Sequence, residues 1–342
     1  MLLTLILLVG CQNKEIPESI VSIYPNPGDL SDVALLEESK LFDLKVNGMD
    51  TFVYRGYQDA FNKYGFAEKG GHFINFEFAN TSVTLDITTK QPFKDFNLKP
   101  SLEMVEKVSN TQIRVVLDAP QKFLVTTVND LGDENWLIVA ADALQKDSPP
   151  MDAENVLYLK AGIHKYGRAW DPFVNGIDTV YMEGGAVVEA TMHCVGKSDI
   201  TIKGPGLFAQ GFRPHARVED PLQTEWLGDC MGAYFRDCQN VVFEDWAVIN
   251  SPSYQLEVAN CENVTIRNLK ALGFGWNNND GFHLYSRNVL VEDCWIAGND
   301  DRICITGLYD SEDREINKIT DQKARIRGTD VANLHIRDSL FW

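Results

Sequence analysis

No apolar run in this sequence approaches the roughly 20 residues that a membrane-spanning helix needs, and the stretch 2–9 is far too short. No transmembrane helix is expected. Basic residues are scarce: 31 Lys and Arg stand against 49 Asp and Glu, for a formal charge of −18. A nucleic-acid binder needs a basic face to displace counterions. A protein held on anionic lipid by its side chains needs one too. The charge balance argues against both. The seven Cys include no CxxC pair and no Cys/His cluster of zinc-ligating spacing. Helix-forming Ala, Leu and Lys do not dominate, whereas Gly, Asn, Asp, Val and Ile are plentiful, a composition for short strands and turns. At 44% hydrophobic and 23% charged, the chain is neither disordered, nor collagen-like, nor a small disulfide scaffold. Its 342 residues set a prior of about two domains.

Residues 1–19 read as an address. The apolar stretch 2–9 fits the core of a secretory signal and ends at Gly10-Cys11. The string Leu8-Val9-Gly10-Cys11 resembles the lipobox of bacterial lipoproteins. That resemblance implies lipidation of Cys11, a polar tether over 12–19 and a place at the bacterial cell envelope. The plain alternative is a cleaved signal and secretion. The other six Cys (194, 230, 238, 261, 294 and 304) are expected as buried thiols stacked inside a β-structure.

Two rhythms follow. Over 20–147, short segments alternate apolar and polar residues: Phe76 and Phe78, then Val83, Leu85 and Ile87, then Ile113, Val115 and Leu117. Period-two segments between turn residues predict an antiparallel β-sandwich. It holds no catalytic constellation, so a packing or accessory role is expected. Asp147-Ser148-Pro149-Pro150 marks a stiff boundary.

From 155 to 342 the chain repeats. Asn240-Val-Val-Phe-Glu-Asp245, Asn263-Val-Thr-Ile-Arg-Asn268, Asn288-Val-Leu-Val-Glu-Asp293 and Asn333-Leu-His-Ile-Arg-Asp338 share one form, and Asp199-Ile-Thr-Ile-Lys-Gly204 nearly matches it. The anchors Ile200, Val241, Val264, Val289 and Leu334 are separated by 41, 23, 25 and 45 residues. Each long gap reads as one coil carrying a large inserted loop, within 205–230 and 308–330. Such an array is a solenoid. The Val, Ile, Thr and Asn of its repeats, with no helical stripe, predict a right-handed parallel β-helix whose equivalent residues stack about 4.8 Å apart. The last repeat breaks off at Trp342 without a polar cap, which predicts further coils beyond it.

Chemistry concentrates in Trp276-Asn-Asn-Asn-Asp280-Gly281 and Gly298-Asn299-Asp300-Asp301-Arg302. Asp280 precedes the acidic pair by 20 and 21 residues, about one coil, so these acids should be lateral neighbours. Two consecutive Asp in a strand would face opposite ways; a bend at Gly298-Asn299 lets both face outward. Glycoside hydrolysis needs such a set: one carboxylic acid protonates the leaving oxygen while a carboxylate activates water. Inverting enzymes hold the two about 6.5–9.5 Å apart. Close carboxylates also push one another's titration apart, which keeps one protonated.

Asn-Asp-Gly followed one coil later by Asn-Asp-Asp resembles the active-site signature of the β-helical glycosidases of the polygalacturonase family (28) and the dextranase/isopullulanase family (49). The β-sandwich ahead of it, with Leu157-Tyr-Leu-Lys-Ala-Gly-Ile-His164 and Val180-Tyr-Met-Glu-Gly-Gly-Ala-Val187, is more similar to family 49. The resemblance implies an inverting hydrolase with Asp300 as general acid, Asp280 and Asp301 as the pair that holds and deprotonates water, and no cofactor or metal. The chain departs from family 28 at Asn278-Asn279-Asp280, where that family has Asn-Thr-Asp, and has neither its Gly-His-Gly nor its Arg-Ile-Lys. Trp276, Asn278, His283, Tyr285 and Arg302 are the candidate substrate-binding residues, with Tyr254 and Trp295 as further aromatic candidates and His215 and Trp226 on an inserted loop. A polyanionic galacturonan would need cations here, and only Lys270, Arg287 and Arg302 are nearby in sequence. The expected partner is an extracellular polysaccharide, a dextran- or pullulan-like glucan or a pectin-type galacturonan, cleaved by a monomer. Two other readings stay open: a Ca²⁺-dependent polysaccharide lyase, with the Asp cluster as oxygen ligands, and a non-catalytic glycan-binding β-helix.

Overall fold

The computed structural model describes residues 19–57, 70–145, 147–210, 232–251, 254–274, 279–298, 300–305 and 331–341. Cys11, His215, Trp226, Cys230, Trp276, Asn278 and Asn299 lie outside that set. Every regular element in it is a strand, apart from one short 3₁₀ turn at Leu30–Asp32.

Two sheets make up the first region. A five-stranded sheet runs Met49–Thr51, Phe42–Val46, Val83–Thr89, Gln112–Leu117, Val105–Lys107, all antiparallel. Its Val83–Thr89 strand buries alternate residues, as expected of a sheet with one face in water. A seven-stranded sheet runs Leu36–Glu38, Tyr54–Tyr57, Gly70–Ala79, Glu134–Ala143, Gln121–Val128, Asp95–Lys99, with Ile20–Ser22 also on Gly70–Ala79. Phe76, Phe78, Val125 and Val139 of this sheet meet Leu44, Leu85, Ile113 and Val115 of the other in one core. The expected sandwich is therefore present, with one correction. Gly70–Ala79 and Glu134–Ala143 pair in parallel, Phe73 beside Ile138. These central strands are buried almost without alternation, because the sheet's other face is covered as well.

What covers it is the solenoid, a 16-stranded assembly in which neighbours pair in parallel. The coil anchors fall into one register: Ile200 beside Val241, Val241 beside Val264, Val264 beside Val289, Val289 beside Leu334. Gaps of 41 and 45 residues thus each span a single coil, as the repeat reading requires. One stack of strands carries these anchors. A second runs through Leu207–Ala209, Ala247–Ile249, Lys270–Leu272 and Trp295–Ala297. A third joins Ala233–Arg236, residues 256–259 and 282–285, and Ile303–Cys304.

Side-chain ladders fix this register. Asn240 Nδ2 donates to Asp199 Oδ1 (2.8 Å), Asn263 to Asn240 (3.0 Å), Asn288 to Asn263 (3.0 Å) and Asn333 to Asn288 (2.8 Å). All five sit at positive φ between 52° and 58°. Asn is selected because it tolerates the left-handed region and its amide both donates and accepts. Cys194, Cys238 and Cys261 are buried free thiols on the coil interior, the Cys261 Sγ accepting from the Cys238 amide at 3.4 Å.

The second stack presents Ile249, Leu272, Phe274 and Trp295 to Phe73, Leu124 and Ile138 of the sandwich. The approach is close enough that a Cβ on Gly71 would stand 2.0 Å from the Phe274 ring. A buried ionic cluster crosses the same seam. Lys270 Nζ lies 2.5 Å from Asp142 Oδ2, and Lys122 Nζ lies 2.8 Å from Asp293 Oδ1 and 3.4 Å from Asp142 Oδ1. Lys270 is wholly buried, which removes it from the cations a groove could offer.

Candidate active site

The third stack alternates inward and outward. Phe235, Leu256, Val258, Phe282 and Leu284 enter the coil core. Tyr234, Glu257, His283 and Cys304 are register neighbours on its other side. The bend before this stack carries the acids. Gly281 N donates to Asp301 O (2.8 Å) and Phe282 N to Arg302 O (2.9 Å), while Gln255 N below donates to Asp280 O (2.9 Å). Carrying the pairing of Phe282 with Ile303 back two residues sets Asp280 beside Asp301 on the adjacent coil. The predicted one-coil neighbourhood is thus present in the backbone. Gly281 makes it feasible, since a Cβ there would stand 2.2 Å from the Arg302 carbonyl.

Asp280 is buried, with the two oxygens of its carboxylate in different situations. Its Oδ2 lies 2.7 Å from His283 Nε2, whereas Oδ1 is buried with no hydrogen-bond partner. Leaving such an oxygen unpaired costs about 1–3 kcal/mol, which is the kind of local deficit a bound water or substrate hydroxyl relieves. A carboxylate accepts, so His283 carries its hydrogen on Nε2. Nδ1 then accepts from the Tyr285 hydroxyl, whose oxygen is 3.8 Å from Cys304 Sγ. Tyr254 stacks on His283 with centroids 3.4 Å apart and planes at 15°. His283 is therefore clamped on two sides and serves to orient Asp280. Tyr285 is 7% exposed and props His283 rather than presenting a face for a sugar.

Asp300 is half-buried at a bend, and Asp301 is exposed beside it. The carbonyl of Asp300 accepts from Arg302 Nη1 at 2.7 Å, which pins the turn. Trp295 belongs to the seam with the sandwich, 2% exposed, so it is a packing residue. Among the described residues, no group of three His, Cys, Asp or Glu stands close enough to hold a metal ion.

The sequence reading missed Glu257. It is buried beneath His283 in register, its Oε2 has no hydrogen-bond partner, and burial pushes its pKa up to about 8, opposed by Arg236. Its signal was weak: one acid in Gln255-Leu-Glu-Val-Ala-Asn260, whose importance depends on a pairing 26 residues away.

Residues 231–320, which carry all three acids, match the model of glycosyl hydrolases family 28. Dex49A from Penicillium minioluteum superposes with a TM-score of 0.57 at 13% identity, covering 92% of this chain and 73% of its own. A family 28 exopolygalacturonase from Yersinia enterocolitica gives 0.41 at 13% identity over 76% of this chain and 67% of its own. No curated protein matches the sequence. The acid-bearing coils thus match family 28 in sequence and are wound on a fold shared with Dex49A.

Proposed function

We propose that the protein is an inverting glycoside hydrolase acting on a neutral extracellular polysaccharide. Asp300 protonates the leaving glycosidic oxygen. Asp280 and Asp301 hold and deprotonate the water that attacks the anomeric carbon from the opposite face. The reading is carried by one observation: two acids stand side by side on adjacent coils, and one of them keeps a buried, unpartnered oxygen beside a clamped histidine. Water bound to Asp280 Oδ1 would be placed by a carboxylate that cannot swing away, because His283 holds its other oxygen.

Charge supports a neutral glycan over galacturonan. Of the three nearby cations, Lys270 is committed to Asp142 in the seam and Arg302 is bonded to the Asp300 carbonyl. The leader and Cys11 support a lipid anchor at the cell envelope. Proton NMR during the first minutes of hydrolysis tests the mechanism on dextran, pullulan and galacturonan. The new reducing end appears first in the anomer opposite to the bond cleaved. Retention of configuration would refute the water-activating roles of Asp280 and Asp301, and unsaturated, ultraviolet-absorbing ends would indicate a lyase.

A further inference from the structure

The seam between solenoid and sandwich opens where it meets the acid bend. The row of the second stack that faces the sandwich carries Ile249, Leu272 and Ala297 on successive coils. Ile249 and Leu272 fill the seam, and Asn250 ties it across to the Leu35 carbonyl. On the coil that leads into Asp300, the same places hold Ala297 and Gly298. A cavity of about 420 Å³ lies there, lined by Trp136, Ile138, Phe274, Ala297, Gly298 and Arg302, among others. Trp136 and Ile138 are two residues apart on one strand and so share a face. That face is turned to the solenoid, as is Leu124, the cross-strand partner of Ile138.

The lining suits a sugar ring. Among the described residues that form it, Arg302 is the one charged group, and the rest is apolar surface with the half-exposed Trp136 as its aromatic wall. A pyranose has the matching duality: C–H faces that pack on an indole, and hydroxyls at its rim that can accept from a guanidinium. The position also selects a side of the scissile bond. His283 turns Asp280 toward the third stack, which is where the attacking water would be held. The cavity lies across the bend from it, against the second stack and the sandwich. In an inverting reaction water and leaving group occupy opposite faces of the cleaved sugar, so the cavity stands on the leaving-group side.

We propose that this cavity receives the leaving-group sugar, a neutral pyranose whose C–H face lies on Trp136, so that the sandwich supplies a specificity residue to chemistry performed on the β-helix. The sugar's identity and its side of the bond rest on the polysaccharide-hydrolase reading; the cavity and its aromatic wall do not.

The test starts from binding. The full chain bearing Asp300→Asn is titrated calorimetrically with neutral linear gluco-hexasaccharides, α-1,6- and α-1,4-linked in separate runs. Trp136→Ala weakens the tighter interaction by about tenfold, and Trp136→Tyr restores most of the loss. Ala297→Leu puts the bulk of Leu272 into the cavity and weakens binding without deleting a side chain. Thermal melting of each variant reports folding separately. Turnover by chains that keep Asp300 then places the ring. Trp136→Ala lowers kcat/KM on the oligosaccharide by about tenfold more than on the glycosyl fluoride of the same sugar, whose leaving group is a single atom. Binding indifferent to both Trp136→Ala and Ala297→Leu would overturn the subsite, as would failure to bind either hexasaccharide. Equal losses on the two substrates would overturn its place on the leaving-group side, and tighter binding of an oligogalacturonate than of either glucan would overturn its neutral class. Failure of the unsubstituted enzyme to cleave any glycan, with Trp136-dependent binding intact, would overturn the hydrolase reading and leave the subsite standing.

Discussion

The two regions of this protein reach all-β order by different means. In the sandwich, register is set by alternation: Val83, Leu85 and Ile87 point into a shared core, and a slip of one residue would expose all three. Exposed pairs such as Lys45 with Asp50 decorate it. In the solenoid, alternation is secondary and register is set by like stacked on like: a ladder with Asp199 at its foot continues through Asn240, Asn263, Asn288 and Asn333. A ladder fixes every coil relative to the next with the same few groups, so the bends between strands are free to carry other residues. Asp280 and the Asp300–Asp301 pair occupy such bends. The sandwich contributes the wall behind them, joined through a seam of apolar side chains crossed by an ionic cluster and by hydrogen bonds such as Asn75 Nδ2 to the Pro205 carbonyl.

That contrast breaks most severely at the seam. Asp142→Asn leaves Lys270 wholly buried without its counter-charge, and the expected loss is about 3–5 kcal/mol, read as a lower denaturant midpoint for the full chain. Replacing Asp142 and Lys270 together by Leu and Met should recover much of that loss, because a buried pair exchanged for apolar groups is often neutral.

A smaller effect tests the ladder. Asn263→Ala deletes the side chain that donates to Asn240 and accepts from Asn288, at a φ of 58° that Ala disfavours. The expected cost is about 2–3 kcal/mol. The matching change in the sandwich, Lys45→Ala at an exposed pair, should leave the denaturation midpoint essentially unchanged.

Glu257 sharpens the contrast through pH. Its folded pKa, about 8, lies above its ordinary value of 4.5, so the folded protein binds more protons than the unfolded chain between those values. Its contribution is fully present below about pH 4.5 and is lost as pH rises toward 8. Glu257→Gln should therefore gain on the parent protein as pH rises from 5 to 8, by on the order of 1–3 kcal/mol. A stability difference that stays flat over that range would show Glu257 ionised in the fold.

Much of this was legible in the chain. The Asn-led repeats give the coil register to the residue, because a ladder writes the same residue at each coil. The acids could be placed on neighbouring coils for the same reason. The parallel pairing of Gly70–Ala79 with Glu134–Ala143 could not be read, since a strand buried on both faces loses the alternation that reveals orientation. Nor could the commitment of Lys270 to Asp142, which depends on how the second stack meets the sandwich. Nor could the role of Tyr285, since an aromatic beside an acid looks the same in sequence whether it faces a sugar or supports a histidine.

On the proposed mechanism the bend at Asp300 performs the chemistry, while ladder and seam hold it in place. The direct measurement is single-turnover hydrolysis by Asp300→Asn, on the polysaccharide the parent protein cleaves and on an aryl glycoside of the same sugar whose leaving group needs no proton. With melting unchanged, the rate on the polysaccharide should fall by roughly a thousandfold or more and the rate on the activated glycoside far less, as removal of a general acid requires. Loss of less than about tenfold on the polysaccharide, or equal loss on both substrates, would contradict the assignment of Asp300.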